Sequence, residues 1–107
     1  MNNLEEMKNN AKKVWSGFAP LENLTGTAAP RLIKFANISK NQKILDVACG
    51  TGVVALTAAR TGANVFGSDL TPELLERAEE NNKLFKLNVK FTEADVEKLP
   101  YDDAFFD

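Results

Sequence analysis

Residues 44–52 constrain what this chain can fold into more than any other part of the sequence. They form an apolar run with one carboxylate, Asp46, followed by two glycines one residue apart, and a helix-like pattern begins directly afterwards. This order predicts a strand, a tight turn and a helix. Glycine accepts positive φ and lets a ligand approach the backbone, and the free amides at a helix start favour electron-rich groups. We therefore expect a cofactor site at this turn.

The size and charge of the chain favour small-molecule chemistry. At 107 residues it can form at most one domain with one modest core. Its 13 basic and 15 acidic residues give a net charge of -2, without a block of like charge that would indicate nucleic acid or an anionic membrane as a partner. No apolar run approaches the ~20 residues of a membrane span, and no signal peptide is predicted. Since its single cysteine cannot form an internal disulfide, we expect a cytoplasmic protein.

Residues 1–43 are predicted to form an N-terminal helical segment. Apolar residues recur at three- and four-residue intervals over residues 4–18 and again over residues 29–36, which indicates two helices with an apolar face. The first helix is interpreted as a packing helix. The alternative is that its end, around residues 15–18, covers the cofactor.

Residues 44–107 are predicted to form the cofactor-binding half of a domain. After the glycine turn the sequence predicts a helix, a strand, a second helix and a third strand, over residues 53–60, 63–68, 72–86 and 89–94. This alternation predicts an α/β fold, a Rossmann-like parallel sheet with flanking helices and right-handed crossovers. In such sheets the ligand binds at the carboxyl ends of the strands.

Candidate binding residues stand at all three predicted strand ends. Gly50 and Gly52 follow the first strand, Asp69 follows the second and Asp95 follows the third. Asp69 lies 19 residues after Gly50, close to the ~20 typical of a carboxylate that accepts hydrogen bonds from a ribose diol. Asp95 can accept from an exocyclic adenine amine while the Val96 amide donates to the ring. The structural alternatives are that Asp69 is only a helix cap or a solvated turn residue, and that Asp95 only caps the short turn over residues 96–99.

Three segments in order carry a family resemblance: residues 44–52 (ILDVACGTG), residues 67–75 (GSDLTPELL) and residues 93–101 (EADVEKLPY). Together they resemble class I S-adenosylmethionine-dependent methyltransferases, particularly the small-molecule branch that includes quinone-biosynthesis C-methyltransferases. The resemblance covers residues 44–107. It implies S-adenosyl-L-methionine as cofactor and a small molecule as methyl acceptor.

The resemblance also implies roles for individual residues. Asp46 would orient either the glycine turn or the amino group of the cofactor. The first motif of the family often has glycine where this chain has Ala48. By position, the remaining cofactor contacts would be Ala48, Gly50 and Gly52 around the methionine part, Asp69 at the ribose, Leu70 beside the adenine, and Asp95 with Val96 at the adenine edge.

The implied reaction is displacement at a sulfonium methyl group, in which the protein mainly aligns the nucleophile, the carbon and the leaving sulfur. The sequence has no histidine and nominates no catalytic residue and no metal site. A thiolate at Cys49 would be favoured by the nearby helix start. The simpler interpretation is that this small side chain fills a tight turn.

Two other functions stay open. Gly50, Gly52 and Ala55 together with Asp69 also fit the dinucleotide fingerprint of an NAD(P)-dependent oxidoreductase. Two observations argue against this alternative: two predicted helices precede the first strand, and Asp46 places a negative charge where a dinucleotide pyrophosphate would bind. The third possibility is a non-catalytic piece that binds S-adenosylmethionine.

Phe105 and Phe106 are predicted to begin a fourth strand. The resemblance then implies a domain truncated before that strand, with an incomplete substrate pocket, so that this chain alone should transfer no methyl group. The first strand is an almost continuous apolar run, which is typical of a central strand. Left at a sheet edge, it would pair with another strand, so we expect the chain to self-associate through this edge.

Overall fold

The fold is built on a three-stranded parallel sheet with the strand order β1-β2-β3. A computed structural model describes residues 2–107. Two short 3-10 turns, at Ala19–Leu21 and Val96–Lys98, accompany the larger elements. In chain order these elements are α1 (Asn3–Trp15), α2 (Glu22–Thr25), α3 (Ala29–Phe35), β1 (Lys43–Val47), α4 (Val53–Ala59), β2 (Asn64–Asp69), α5 (Pro72–Leu84) and β3 (Lys90–Glu93).

The sheet topology confirms the predicted α/β fold. Asp46 of β1 lies opposite Gly67 of β2, and Gly67 lies opposite Phe91 of β3, with both strand pairs parallel. Each pair is connected through a helix, α4 or α5, as parallel pairing requires. The carboxyl ends of all three strands therefore meet at one edge of the sheet.

The core lies between α3, α4 and one face of the sheet. Small residues on α4 allow this helix to approach the strands closely, and Ala55 is fully buried. The buried residues of this cluster are Ile33, Ala55, Leu56, Ala58, Val65 and Val89. Phe66 follows Val65 in β2 and therefore points to the opposite face, where it meets Tyr101 and Phe106 edge to face.

The packing of α1 differs from the prediction. None of its residues is buried, and Met7 and Val14 are 67% and 60% exposed. The polar face of α1 is not free in solvent, because Lys8 and Lys12 form ion pairs with carboxylates at the end of β3 and in the turn after it. The interpretation of α1 as a conventional packing helix is therefore wrong. No helix in residues 2–107 has both the length and the apolar character needed to cross a membrane.

The last residues of the chain lie beside β1. The Asp107 amide donates to the Lys43 carbonyl at 2.8 Å, and the Lys43 amide donates to Asp107 Oδ2 at 2.8 Å. Phe105 and Phe106 join the aromatic cluster around Phe66, with ring centroids 5.6 and 5.4 Å from it. The segment predicted to begin a fourth strand is thus at the edge of β1 that β2 leaves open, although the described residues form no fourth strand.

Close packing at Gly67 predicts a stability effect. A Cβ at this position would lie 2.7 Å from two ring carbons of Phe91 and 3.0 Å from Cys49 Sγ. The Gly67→Ala side chain would force the ring to move, so we expect the free energy of unfolding to fall by about 1–3 kcal/mol in urea titrations. Gly17→Ala is the control, since its Cβ would meet only Val14 O at 3.9 Å. Equal losses in both variants would contradict this account.

Candidate functional site

A cavity of about 670 Å³ lies at the carboxyl ends of the three strands. This volume is within the range of about 300–1,000 Å³ that is usual for small-molecule sites. The turns after β1, β2 and β3 form its floor, and residues of α1, α2 and the segment between them form its cover. Of the residues predicted from the sequence, the structure brings together Asp46, Ala48, Gly50, Asp69, Leu70, Asp95 and Val96 in the cavity wall.

The turn after β1 depends on three residues with positive φ: Ala48 at 57°, Gly50 at 56° and Gly52 at 85°. A Cβ on Gly50 would meet nothing within 4 Å, so this glycine leaves open space above the turn. A Cβ on Gly52 would lie 2.9 Å from Cζ of Phe91. Gly52 therefore lies against β3 and not in the cavity wall, and its role is to let the turn pack closely on the sheet.

Asp69 ties this turn to the end of β2. Its Oδ2 accepts from the Gly50 amide at 2.8 Å, and its Oδ1 accepts from the Thr71 amide at 2.9 Å. The residue is only 9% exposed. Each carboxylate oxygen can accept more than one hydrogen bond, so these contacts leave capacity for ligand hydroxyls. Asp69 does shape the turn, and its binding of a ribose stays a prediction.

Asp46 has a buried carboxylate oxygen, Oδ2, without any hydrogen-bond partner. Burial, opposed by a hydrogen bond with the Ala55 backbone and assisted by the nearby charge of Asp69, raises the pKa of Asp46 to about 6. A buried charge that lacks a partner is costly, so this position favours a ligand that brings a cation or a donor. Which of its two predicted roles Asp46 has stays a prediction.

Asp95 is occupied on both oxygens. Its Oδ1 accepts from the Glu97 amide at 3.0 Å and so caps the turn Val96–Lys98, while Lys8 Nζ of α1 contacts its Oδ2 and also Glu97. The Lys8 ammonium holds the pKa of Asp95 below its usual range, and the same contact raises the pKa of Lys8. Asp95 is thus a turn cap, the structural alternative considered above. The predicted hydrogen bond between Asp95 and the adenine edge of the cofactor stays a prediction.

Apolar side chains complete the cavity. Leu70 and Val96 line it beside Asp95, and Trp15 and Phe18 line it from the cover, with their ring centroids 4.7 Å apart. This placement agrees with the alternative in which residues 15–18 cover the site.

Two further residues of the site, Glu22 and Asn81, were not predicted from the sequence. Glu22 of α2 lines the cavity, and its carboxylate accepts hydrogen bonds from Arg77 and Asn81 of α5. Burial acts to raise the pKa of Glu22, but hydrogen bonds from Arg77, Thr51 and Asn81 outweigh it and hold the pKa below its usual value. The partners are 55 and 59 residues apart, and no local motif indicates such a contact.

The small side chain of Cys49 fills space within the turn after β1. It is 8% exposed, and burial together with the charges of Asp46 and Asp69 raises the pKa of its thiol. A reactive cysteine needs the opposite environment. Within residues 2–107 there is also no group of three or more His, Cys, Asp or Glu side chains arranged to hold a metal ion.

Asp46 should make stability depend on pH. Its folded pKa of about 6 exceeds the unfolded value of about 3.9, so the native state binds more protons between these values and stability falls as pH rises through them. The Asp46→Asn variant removes this titration. We expect its free energy of unfolding to exceed that of the parent by about 1–3 kcal/mol at pH 7 and by much less near pH 4.

Urea titrations at the two pH values measure this difference. Asp102→Asn, at an exposed position, is the matched control for the loss of one carboxylate. A gain for Asp46→Asn that is the same at both pH values would contradict the account of its burial.

Comparisons with known proteins agree with this geometry. Residues 44–107 match the family model described as a methyltransferase domain. An uncharacterized protein of Mycobacterium tuberculosis is 40% identical over 86 residues, which are 80% of this chain and 31% of that protein. The demethylmenaquinone methyltransferase of Chlorobaculum tepidum is 41% identical over 80 residues, 74% of this chain and 31% of the enzyme.

A solved structure shares the fold of most of this chain. The crystal structure of the YcgJ protein of Bacillus subtilis superimposes with a TM-score of 0.70 at 28% identity, over 76% of this chain and 35% of that protein. The chain spans about a third of the length of the curated relatives described above. The matched region begins with β1 and contains all three strand ends. This chain therefore belongs to the methyltransferase domain family, within the class I S-adenosyl-L-methionine-dependent methyltransferases.

Proposed function

We propose that this chain binds S-adenosyl-L-methionine and is the cofactor-binding portion of a methyltransferase that acts on a small molecule. The observation that carries the proposal is that Asp46 lines the cavity and has a buried Oδ2 without a hydrogen-bond partner. The amino group of the cofactor's methionine part is a cation with three N–H donors. It would supply a positive charge to this carboxylate and a hydrogen bond to its Oδ2.

The other strand ends would hold the rest of the cofactor. The open space above Gly50 leaves room for the methionine part beside Ala48, and the free lone pairs of Asp69 suit a ribose diol. Leu70 and Val96 offer apolar flanks for an adenine ring, with Asp95 at its edge. Gly52 would contribute indirectly, by letting the turn pack against β3.

The cofactor supplies an electrophilic methyl group on a sulfonium. The residues of this chain bind and orient it and shield it from water, and Trp15 and Phe18 provide an apolar cover for that purpose. One relative is named as a demethylmenaquinone methyltransferase. For this protein we infer that the methyl acceptor is a small molecule. We also propose that the protein acts in the cytoplasm and has no nucleic acid as a partner.

The two alternatives from the sequence are less well supported. An NAD(P)-dependent oxidoreductase would place a pyrophosphate near Asp46, whose buried carboxylate already lies close to that of Asp69. The family match also favours the methyltransferase. A non-catalytic binding piece would share the cofactor site and differ only in lacking turnover.

Calorimetric titration tests the proposed function. We expect the purified chain to bind S-adenosyl-L-methionine and S-adenosyl-L-homocysteine, and to show no response to NAD. Tight NAD binding without a response to either methionine compound would overturn the proposal.

Asp69 offers a residue-level test. The Asp69→Ala variant would lose charge-assisted hydrogen bonds to the ribose, so we expect its affinity for S-adenosyl-L-homocysteine to fall about 10- to 100-fold. Asp69→Asn should lose less, because one oxygen remains to accept from the Gly50 amide. Circular dichroism identifies the folded fraction, since Asp69 also supports the turn. An unchanged dissociation constant in folded Asp69→Ala would mean that Asp69 shapes the turn and does not bind the ribose.

Self-association through β1 also remains a proposal. In residues 2–107 the open edge of β1 pairs only with Asp107, at Lys43. Backbone groups of alternate residues face the same side, so the Leu45 and Val47 amides point to this edge. We expect sedimentation velocity at micromolar concentrations to show dimers, with exchange of these two amides slowed at higher concentration. A strictly monomeric chain would contradict pairing through this edge.

A further inference from the structure

We propose that Asn81 and Glu22 are positioning residues for the glycine turn, an inference that rests on the proposed function of this cavity. Asn81 of α5 is 8% exposed, and its Nδ2 donates both to the Thr51 carbonyl at 3.2 Å and to Glu22 Oε2 at 3.1 Å. Both hydrogens of this amide are therefore in use. One holds the turn after β1, and the other holds the cover of the cavity.

The glycine turn then has supports from two directions. Asp69 of β2 accepts from the Gly50 amide, and Asn81 donates to the carbonyl of the next residue, Thr51. The turn contains Ala48, a non-glycine residue with a φ of 57°, and such a conformation persists only where the surroundings hold it. A turn that is already ordered loses less conformational freedom when a ligand binds, which raises affinity. Asn81 should therefore act on the cofactor's affinity without touching it.

Glu22 orients the amide of Asn81. Its Oε1 accepts from Arg77 Nε at 3.2 Å and from Arg77 Nη2 at 2.8 Å, which leaves Oε2 facing Asn81. With one hydrogen of Nδ2 bound to this oxygen, the other is directed at Thr51. Glu22 belongs to α2, so this contact makes the N-terminal helical segment a contributor to the cofactor site through the backbone of the turn.

The chain offers a matched control in the next residue. Asn82 is equally buried, but its side-chain amide makes two hydrogen bonds with the Val89 backbone. Its Nδ2 donates to Val89 O at 2.9 Å, and its Oδ1 accepts from Val89 N at 3.2 Å. We expect Asn81→Leu to weaken S-adenosyl-L-homocysteine binding about ten-fold or more, and Asn82→Leu to lower the unfolding midpoint while its folded fraction binds as the parent does. Equal affinities in folded Asn81→Leu and the parent would overturn the inference.

A double variant separates the two hydrogen bonds of Asn81. In Glu22→Gln combined with Asn81→Asp, the new amide at position 22 can donate to the new carboxylate at position 81, but nothing at position 81 can donate to Thr51. We expect affinity to stay reduced about ten-fold whether or not the unfolding midpoint recovers relative to Glu22→Gln alone, because the new carboxylate faces the Thr51 carbonyl without a hydrogen to donate. If affinity recovers together with stability, Glu22 and Asn81 merely hold α2 in place, and the inference is wrong.

Amide exchange gives a readout that needs no ligand. The Gly52 amide donates to Cys49 O at 3.0 Å within the turn. We expect its exchange to be faster in Asn81→Asp than in the parent, and unchanged in Asn82→Leu. Asn81→Asp also replaces Asn81→Leu if the latter does not fold. A parent chain that binds neither methionine compound would refute the proposed function, whereas unchanged Gly52 exchange would refute the positioning role itself.

Discussion

The candidate site depends on the hydrogen bond from the Gly50 amide to the Asp69 carboxylate. Parallel strands bring their carboxyl ends to one edge, so a side chain at the end of β2 can hold the turn that follows β1. This bond keeps Gly50 in its left-handed conformation and leaves open space above it. The same carboxylate faces the cavity, which means that the group that builds the turn is also available to a ligand.

The electrostatics of this arrangement favour a ligand with a cationic group. Asp46 and Asp69 place two carboxylates at the bottom of the cavity, and the buried oxygen of Asp46 lacks a partner. Stability is lost at this position in the free protein, as is common where a binding site keeps polar groups ready for a ligand. A ligand that brings an amino group restores the missing interaction, so binding and stability are linked through one residue.

The sequence predicted the features that local geometry determines. Two glycines after an apolar run require a tight turn, and the spacing from Gly50 to Asp69 reflects the length of one helical crossover. The sequence did not reveal that Gly52 faces the sheet, because that depends on Phe91 of β3, 39 residues later. The contacts of Lys8 and Glu22 could not be predicted either, because their partners also lie far away along the chain. The apolar pattern of α1 indicated packing against a core, whereas its residues lie over a cavity and stay partly exposed.

The attachment of the N-terminal helices differs in kind from that of the core. Lys8 and Lys12 of α1 pair with Asp95, Glu97 and Glu93, and Glu22 of α2 pairs with Arg77. Ion pairs that remain partly exposed to water contribute little to stability, and α1 buries no residue, so this cover is held much less firmly than the sheet. Asp95 is at once the partner of Lys8 and the residue proposed for the adenine edge. A ligand that binds as proposed must therefore share or replace the Lys8 contact, and by linkage the position of α1 and the affinity for the cofactor depend on each other.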